Sequence, residues 1–312
     1  MLNNKKILMG FMLYCIFNHA QAEVLVILPE SGPLARAGLS IKQGFMSAYQ
    51  ASGSKTALKF VNSDKKKIAQ LLKQYVNKKT QMVVGPLARN EVEDLIRARP
   101  KLQVLALNEV SPQLPNVWQF SLSKTDDAYA LNQVLQQEQI KELYILRQKN
   151  AEVDNELFLM ALLTEGDYPL NMVDQVPQTL NKHSGLLLLG SNEWLNSLEH
   201  LPRKHIYTLP NAIEERQVLP QGVKFCDAPA LYRLAWPDVI QAYQQNPVSM
   251  PYQRLLAFGG DAWHIIMQYL EQPNVKSIEF QGRSGMVQIS QNQIRRIPQC
   301  FENTRNKIRP LS

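Results

Sequence analysis

The chain has 312 residues, which is long for one domain and comfortable for two of ordinary size. A hydrophobic fraction of 45% with 20% charged residues is typical of a globular protein, and it disfavours a disordered or fibrous one. The formal charge of +7 is moderate and spread out, so it is only a weak indication of an anionic partner and does not establish a nucleic-acid partner. No run of about 18 apolar residues occurs, which excludes a membrane-spanning helix.

The first 22 residues have the pattern of a cleaved secretory signal. Lys5 and Lys6 precede an apolar run over residues 7–17, and small residues flank Gln21 at its end. We therefore predict export through the inner membrane. Cys15 follows the bulky Tyr14, where a lipid-acceptor cysteine needs a small neighbour, so an outer-membrane lipid anchor is not expected.

Two cysteines remain after removal of the signal, Cys226 and Cys300. An exported protein can oxidise such a pair, and a bridge closing this long loop contributes roughly 4 kcal/mol in the chain-entropy model. Two separately buried thiols are equally compatible with the sequence. The pairing stays open at this point.

Strands and helices alternate in the first third of the mature chain. Apolar runs predict buried strands, and apolar residues at helical spacing predict the helices between them. The predicted strands are residues 24–28, 58–61, 82–84 and 104–107, and the predicted helices are residues 34–49, 65–76 and 91–98. This order predicts right-handed crossovers and a parallel sheet covered by helices on both faces.

The same alternation resumes further along the chain. Strands are predicted at residues 143–146, 185–190, 205–207 and 223–225, and helices at residues 127–137, 229–245 and 251–270. Residues 285–290 and 293–297 flank Gln291 and Asn292 as a hairpin. Residues 150–182 have no clear pattern. The predicted fold class is therefore α/β, with two Rossmann-like lobes that contain parallel sheets.

A five-residue turn occurs twice, each time directly after a strand. Gly32-Pro33-Leu34-Ala35-Arg36 is repeated as Gly85-Pro86-Leu87-Ala88-Arg89. Both turns fall at the carboxyl edge of the sheet, where open α/β folds bind ligands and where helix amides can hold an anion. Efficient strand-to-helix turns are the favoured interpretation, because neither turn has the spacing of a nucleotide-binding loop.

The sequence lacks the common signatures of catalysis and metal binding. It contains no His-Glu-x-x-His, Cys-x-x-Cys or Gly-x-Ser-x-Gly pattern. The four histidines after the signal are scattered, and His264 is expected to pack in an apolar helix. We therefore predict a protein that is not an enzyme and has no metal or cofactor. The basic tail from Arg295 to Arg309 is either a solvated face or a contact with an anionic component of the envelope.

Several segments together resemble a known family. The turn over residues 28–34 resembles the start of type I periplasmic binding-protein folds, and other segments narrow the resemblance to the penicillin-binding protein activator family, LpoA or LppC. Those segments are residues 38–45, 83–87, 104–108, 119–123, 222–225, 258–263, 282–287 and 294–296. They occur in order across nearly the whole mature chain.

This resemblance implies function and domain organisation. It implies a non-catalytic periplasmic regulator that binds a bifunctional class A penicillin-binding protein and activates peptidoglycan synthesis. It also implies two hinged lobes joined by three crossings, near residues 121–124, 249–252 and 282–285. The expected division is residues 1–22 as signal, residues 23–122 with 252–282 as lobe one, and residues 123–251 with 283–312 as lobe two. Typical family members carry a lipid anchor and an additional helical-repeat domain, neither of which this sequence indicates.

The alternative function is a solute receptor for an ABC transporter that binds an amino acid or amide between the lobes. The residues expected to line that cleft are Ser31, Gly32, Pro33, Gly85, Pro86, Asn108, Glu109 and Ser121. Receptors of this fold hold a carboxylate with hydroxyls and amides after the third and fourth strands. Leu87 and Ala88 supply no hydroxyl there, and Glu109 would repel a carboxylate, so the activator interpretation is favoured. A cleft filled by leucine would favour it further.

Overall fold

The predicted strands lie in two separate sheets of the computed structural model, which describes residues 22–150, 152–273 and 275–311. The predicted signal, with Cys15, lies outside these residues apart from Ala22. In chain order the strands are β1 (Glu23–Leu28), β2 (Ala57–Asn62), β3 (Thr80–Val84), β4 (Gln103–Ala106), β5 (Val117–Gln119), β6 (Glu142–Arg147), β7 (Leu170–Val173), β8 (Ser184–Leu189), β9 (Ile206–Thr208), β10 (Val223–Asp227), β11 (Ser277–Gln281), β12 (Met286–Ser290), β13 (Gln293–Ile297), β14 (Gln299–Thr304) and β15 (Lys307–Pro310).

The helices lie between these strands and cover the sheets. In chain order they are α1 (Ala35–Ser52), α2 (Ile68–Tyr75), α3 (Arg89–Ala98), α4 (Lys124–Gln137), α5 (Glu152–Glu165), α6 (Asn192–Ser197), α7 (Pro237–Gln245) and α8 (Met250–Glu271). Residues 150–182, which had no clear sequence pattern, form α5 and β7. The sequence did not reveal this helix because its apolar residues are distributed around much of its circumference, including Leu157 and Met160 on the exposed side.

The α/β fold class is confirmed, with one correction to the sheets. The first sheet has the order β11-β12-β13-β5-β4-β3-β1-β2, and the second has the order β15-β14-β10-β9-β8-β6-β7. Strands β1 to β5 and β6 to β10 pair in parallel, as expected. The strands at one edge of each sheet are antiparallel, so both sheets are mixed and not purely parallel.

The third crossing lies further along the chain than the expected position near residues 282–285. Both strands of the predicted hairpin, β12 and β13, belong to the first sheet, so the assignment of residues 283–297 to lobe two was wrong. The chain passes to the second sheet only between Ile297 and Gln299. The hairpin stays with the first sheet because β13 pairs with β5 through Gln293 and Gln119.

The predicted helix over residues 229–245 is also shorter than expected. Only α7 is α-helical, and it begins at Pro237. Proline is accepted in the first turn of a helix but disfavours helical backbone in the residue before it, so the helix starts there. The preceding segment instead places Tyr232 beside Asp227, to which its hydroxyl donates at 2.7 Å.

Helices α1 and α8 cross at very short range in the core of the first lobe. A Cβ added at Gly44 would lie 1.8 Å from the Leu256 carbonyl oxygen, and one at Gly259 would lie 2.1 Å from that of Ile41. Two glycines facing opposite backbones allow this approach, and they bring Phe45 against Trp263 with ring centroids 5.4 Å apart. The crossing fixes α8, whose other residues reach the space between the lobes.

Cys226 and Cys300 form a disulfide in the structure. They are directly opposite in the antiparallel pair of β10 and β14. Because β14 and β15 follow the last crossing, this bond ties the C-terminal strands covalently to the second lobe.

Candidate functional site

A cleft lies between the lobes, at the carboxyl ends of the parallel strands where open α/β folds bind ligands. Two adjoining cavities of about 400 Å³ and about 340 Å³ occupy it. Both are lined by Leu122 and Leu255, and the smaller one also touches Pro210 and Asp227 at the ends of β9 and β10. The cleft is therefore built from both lobes.

The predicted cleft residues separate into two groups. Asn108, Glu109 and Ser121 line the larger cavity. Within the described part of the chain, the linings of the two cavities do not include the other five, which are Ser31, Gly32, Pro33, Gly85 and Pro86.

The two repeated turns have structural roles. The backbone N–H and hydroxyl of Ser31 both donate to Asp64 at 2.9 Å, which ties the first turn to the end of β2. Gly85 has φ +89°, and a Cβ there would lie 2.0 Å from the Ile27 carbonyl oxygen, so only glycine fits between β1 and β3. Both turns hold neighbouring strands together at the sheet edge.

Part of the polar lining of the larger cavity, which also includes Arg89, Lys124 and Thr125, is already hydrogen-bonded internally. Ser121 Oγ donates to one carboxylate oxygen of Glu109 at 3.1 Å, and Ser123 Oγ donates to the other at 2.9 Å. Asn108 Nδ2 donates to the Leu87 carbonyl oxygen at 3.1 Å. The hydroxyls that would receive a ligand carboxylate therefore face a carboxylate of the protein itself.

Apolar side chains form the other side of this cavity. Phe258 stacks on Phe120 with ring centroids 4.4 Å apart, and Leu157 of α5 approaches from the second lobe. The remaining apolar lining residues are Leu87, Leu107, Leu122 and Leu255. Leucine side chains therefore line one side of this cavity but do not fill it.

A buried ion pair joins the lobes across the smaller cavity. Arg254 on α8 donates from Nε to Asp227 Oδ1 at 2.8 Å and from Nη2 to Asp227 Oδ2 at 2.7 Å. The same Nη2 also donates to the Pro210 carbonyl oxygen at 2.7 Å. Asp227 is only 3% exposed, so this bidentate pair is shielded from solvent. It links α8 directly to β9 and β10.

A second buried arginine joins the lobes at β13. The Arg296 guanidinium donates to Asp127 on α4 at 2.6 Å and to the Ser284 carbonyl oxygen at 3.1 Å. Its backbone N–H donates to Asp126 at 3.1 Å. Arg296 is 3% exposed, so it is not part of a solvated basic tail. With Arg254, it provides the second charged connection between the lobes.

Asp126 is an acid held in an unfavourable environment. Burial raises its pKa to about 6, although Arg296 partly opposes the shift. Because the folded pKa is above the unfolded one, folding favours the protonated acid. The stability contributed by the protonated Asp126 side chain is fully present below about pH 4, and it is lost as the pH rises toward 6.

Replacing Asp126 by asparagine is therefore expected to stabilise the protein at pH 8. The expected gain is about 1–2 kcal/mol, since partial exposure reduces the full effect of the shift, and it should vanish near pH 4. Urea unfolding at both pH values measures it. Asp127→Asn is the matched control and should destabilise, because it removes the partner of Arg296. A gain that persists unchanged at pH 4 would contradict the assignment.

Two segments that carried the family resemblance meet beside the cleft. Asp261, which is fully buried on α8, accepts hydrogen bonds from the backbone N–H groups of Arg283 and Ser284, both at 2.7 Å, and from the Ser284 hydroxyl at 2.6 Å. Burial raises the pKa of Asp261, and these donors oppose it. The Arg283 side chain in turn donates to Asp238 on α7 at 2.8 Å. This cluster orients the loop from which β12 begins.

The sequence analysis did not identify the connecting residues Arg254, Asp227 and Asp261 as functional. One signal was present for Asp261, because it is an acid inside the apolar run from Phe258 to Trp263. No local pattern marks Arg254 or Asp227, since the pair forms only when the two lobes come together.

Other expectations concern metals, histidine and membranes. Among the residues that the structure describes, no three His, Cys, Asp or Glu side chains form a group suited to a metal ion. The ring of His264 packs 4.2 Å from that of Phe280, and burial lowers its pKa. No helix in the described ranges combines the length and apolar character needed to cross a membrane.

Comparison with known proteins bears directly on the predicted family. A family model described as LppC putative lipoprotein matches residues 11–153. Penicillin-binding protein activator LpoA of Haemophilus ducreyi is 24% identical over 310 residues, which covers 89% of this chain and 53% of that protein. LpoA of Escherichia coli K12 is 36% identical over 73 residues. The resemblance to the penicillin-binding protein activator family is confirmed.

Solved structures agree with the fold. The C-domain of Haemophilus influenzae LpoA, described as a regulator of PBP1A, matches with a TM-score of 0.74 at 19% identity and covers 93% of this chain and 100% of that domain. A putative branched-chain amino acid ABC transporter protein from Chromobacterium violaceum also has a TM-score of 0.74, at 20% identity, with coverage of 90% and 99%. The chain spans about half the length of the LpoA proteins it matches.

Proposed function

We propose that this chain is a non-catalytic regulator that binds a class A penicillin-binding protein in the periplasm and increases its rate of peptidoglycan synthesis. Relatives named as activators align over most of the chain. The aligned region corresponds to the C-domain of a protein described as a regulator of PBP1A. Export by the predicted signal would deliver the chain to the compartment in which such synthases work.

The residues that line the cleft between the lobes favour this proposal over the receptor alternative. Glu109 occupies the hydroxyls of Ser121 and Ser123, and its carboxylate would repel the carboxylate of an amino acid. Leucine side chains line the opposite side. The arrangement supports recognition by outer surfaces, with the cleft serving to hold the lobes in one relative position.

The direct test combines binding with activity. Immobilised protein should retain class A synthases from a membrane extract of the same organism, identified by mass spectrometry, and should leave class B synthases behind. Adding the protein to a purified retained synthase should increase glycan polymerisation. Retention without any change in rate would reduce the role to a scaffold, and failure to retain a class A synthase would refute the proposal.

The receptor alternative predicts that an amino acid raises the melting temperature of the protein. A ligand that binds only the folded protein raises its melting temperature with concentration. Leucine, isoleucine, valine and glutamine, each added at increasing concentration, should leave the melting temperature unchanged if the cleft has no amino-acid site. A saturable increase with one of them, weakened in a Leu157→Asp variant at the cleft, would favour the receptor instead.

A further inference from the structure

The net positive charge of the chain is concentrated in one short segment. The sequence analysis had instead described this charge as spread along the chain. Residues 55–79 contain eight lysines and a single acidic residue, Asp64, which is a balance of +7. The whole chain also carries +7, so the other residues are balanced between acids and bases. We call these eight side chains the lysine band; they are Lys55, Lys59, Lys65, Lys66, Lys67, Lys73, Lys78 and Lys79.

The lysine band follows one outer edge of the first lobe. Strand β2 is the edge strand of its sheet, and its six residues span about 20 Å. Lys55 precedes this strand and Lys65 to Lys67 follow it, while Lys73 lies on the adjacent α2. All members are exposed except Lys59, which is half-buried with its Nζ 4.9 Å from the centre of the Tyr75 ring. The band therefore runs along the full height of the lobe.

Little of this charge is neutralised locally. Asp64 Oδ2 accepts from the backbone N–H and hydroxyl of Ser31, and Lys66 Nζ donates to the uncharged Gln74. Across the part of the chain that the structure describes, no ion pair involves Lys65, Lys67 or Lys73. These three side chains thus present their charge to solvent.

Protection of the sheet edge explains only part of the band. Lysine on an edge strand prevents pairing with another chain, which accounts for Lys59. It does not account for Lys65 to Lys67, Lys73, Lys78 or Lys79, which lie outside β2. These residues add positive charge where no strand edge needs protection.

The chemistry of the band fits a diffuse anionic surface. Protein interfaces are enriched in aromatic residues and arginine and depleted in lysine, whereas residues 55–79 contain no arginine and no exposed large hydrophobic side chain. Flexible, strongly hydrated lysines suit contact with many mobile negative charges. We propose that the lysine band docks this lobe onto a bilayer surface rich in anionic phospholipid. This inference does not depend on the proposed function.

Sedimentation with vesicles tests the inference on the full chain. Binding is expected to vesicles of phosphatidylcholine mixed with phosphatidylglycerol and not to phosphatidylcholine alone, and it should decrease as salt is added. The combined variant Lys65→Gln, Lys66→Gln and Lys67→Gln should bind the mixed vesicles at least about tenfold more weakly. These side chains are exposed, and an unchanged melting temperature would show that the variant is folded.

The matched control removes the same charge from the second lobe. Lys141, Lys182 and Lys204 are exposed there, and their combined replacement by glutamine should leave vesicle binding within about twofold. Equal losses in the two variants would show that only net charge matters and would overturn the proposal. Binding to isolated peptidoglycan that depends on Lys65 to Lys67, without vesicle binding, would overturn it in favour of a wall polymer.

Discussion

Replacement of Arg254 by leucine is expected to lower the free energy of unfolding by about 3–5 kcal/mol, because it leaves a buried carboxylate without its cation. Asp227 is 3% exposed and, among the residues that the structure describes, would retain only the Tyr232 hydroxyl and the Ala228 N–H as hydrogen-bond donors. The Pro210 carbonyl oxygen would also lose this donor and keep only the backbone N–H of Ile213, which donates at 3.0 Å within the described part of the chain. Urea unfolding curves, analysed for midpoint and slope, measure the loss.

Two further variants separate the ion pair from general effects of the substitution. Arg89→Leu removes an exposed arginine whose partner Glu93 lies 3.6 Å away, and it should cost less than about 1 kcal/mol. Adding Asp227→Asn to Arg254→Leu should recover part of the loss, because the buried negative charge is then gone. A cost for Arg254→Leu no larger than that for Arg89→Leu would show that the connection between the lobes does not rest on this pair.

The sequence predicted most of the parallel strands because they are buried on both faces and are therefore continuous apolar runs. β1 and β8 are clear examples, since nearly every residue in them is buried. Half-exposed strands gave no such signal, and β11, which alternates between exposed and half-buried positions, was not predicted. β5 was not predicted either, although β9, which has the same length of three residues, was.

Lobe membership was harder to predict than the strands themselves. The hairpin of β12 and β13 was recognised but placed in the wrong lobe, because it joins the first sheet through pairing between Gln293 and Gln119 and through burial of Val287 and Ile289 in the first-lobe core. Gln293 and Gln119 are far apart in sequence and neither is unusual locally. Pairing of this kind is set by tertiary structure, which periodicity does not report.

The predicted cleft residues were also identified with unequal success. Glu109 was singled out because an acid after the fourth strand is chemically unsuitable for an amino-acid receptor, and it does line the cavity. Ser31 and Gly85 were selected by their positions at strand ends, yet their contacts hold turns together. Position at the carboxyl edge was a weaker guide than side-chain chemistry, because several strand ends serve only to connect elements.

Reduction of the disulfide is expected to cost about 4 kcal/mol of unfolding free energy. Cys226 and Cys300 are 74 positions apart, so the bond constrains a long loop in the unfolded chain. It also joins β14 covalently to β10. Strand β14 is the first strand of the second sheet after the last crossing from the first lobe. The unfolding midpoint in urea, with and without a thiol reductant, measures this cost.

A double replacement provides the control for reductant effects elsewhere. The Cys226→Ala, Cys300→Ala variant should have the stability of the reduced native protein, apart from the small loss of buried sulfur, and should not respond to reductant. Titration of thiols in the unfolded protein should detect two additional groups after reduction. If these two thiols appear while the midpoint stays the same, the bond contributes nothing to stability, and β14 is held in the sheet by its pairing with β10 and by the packing of Phe301.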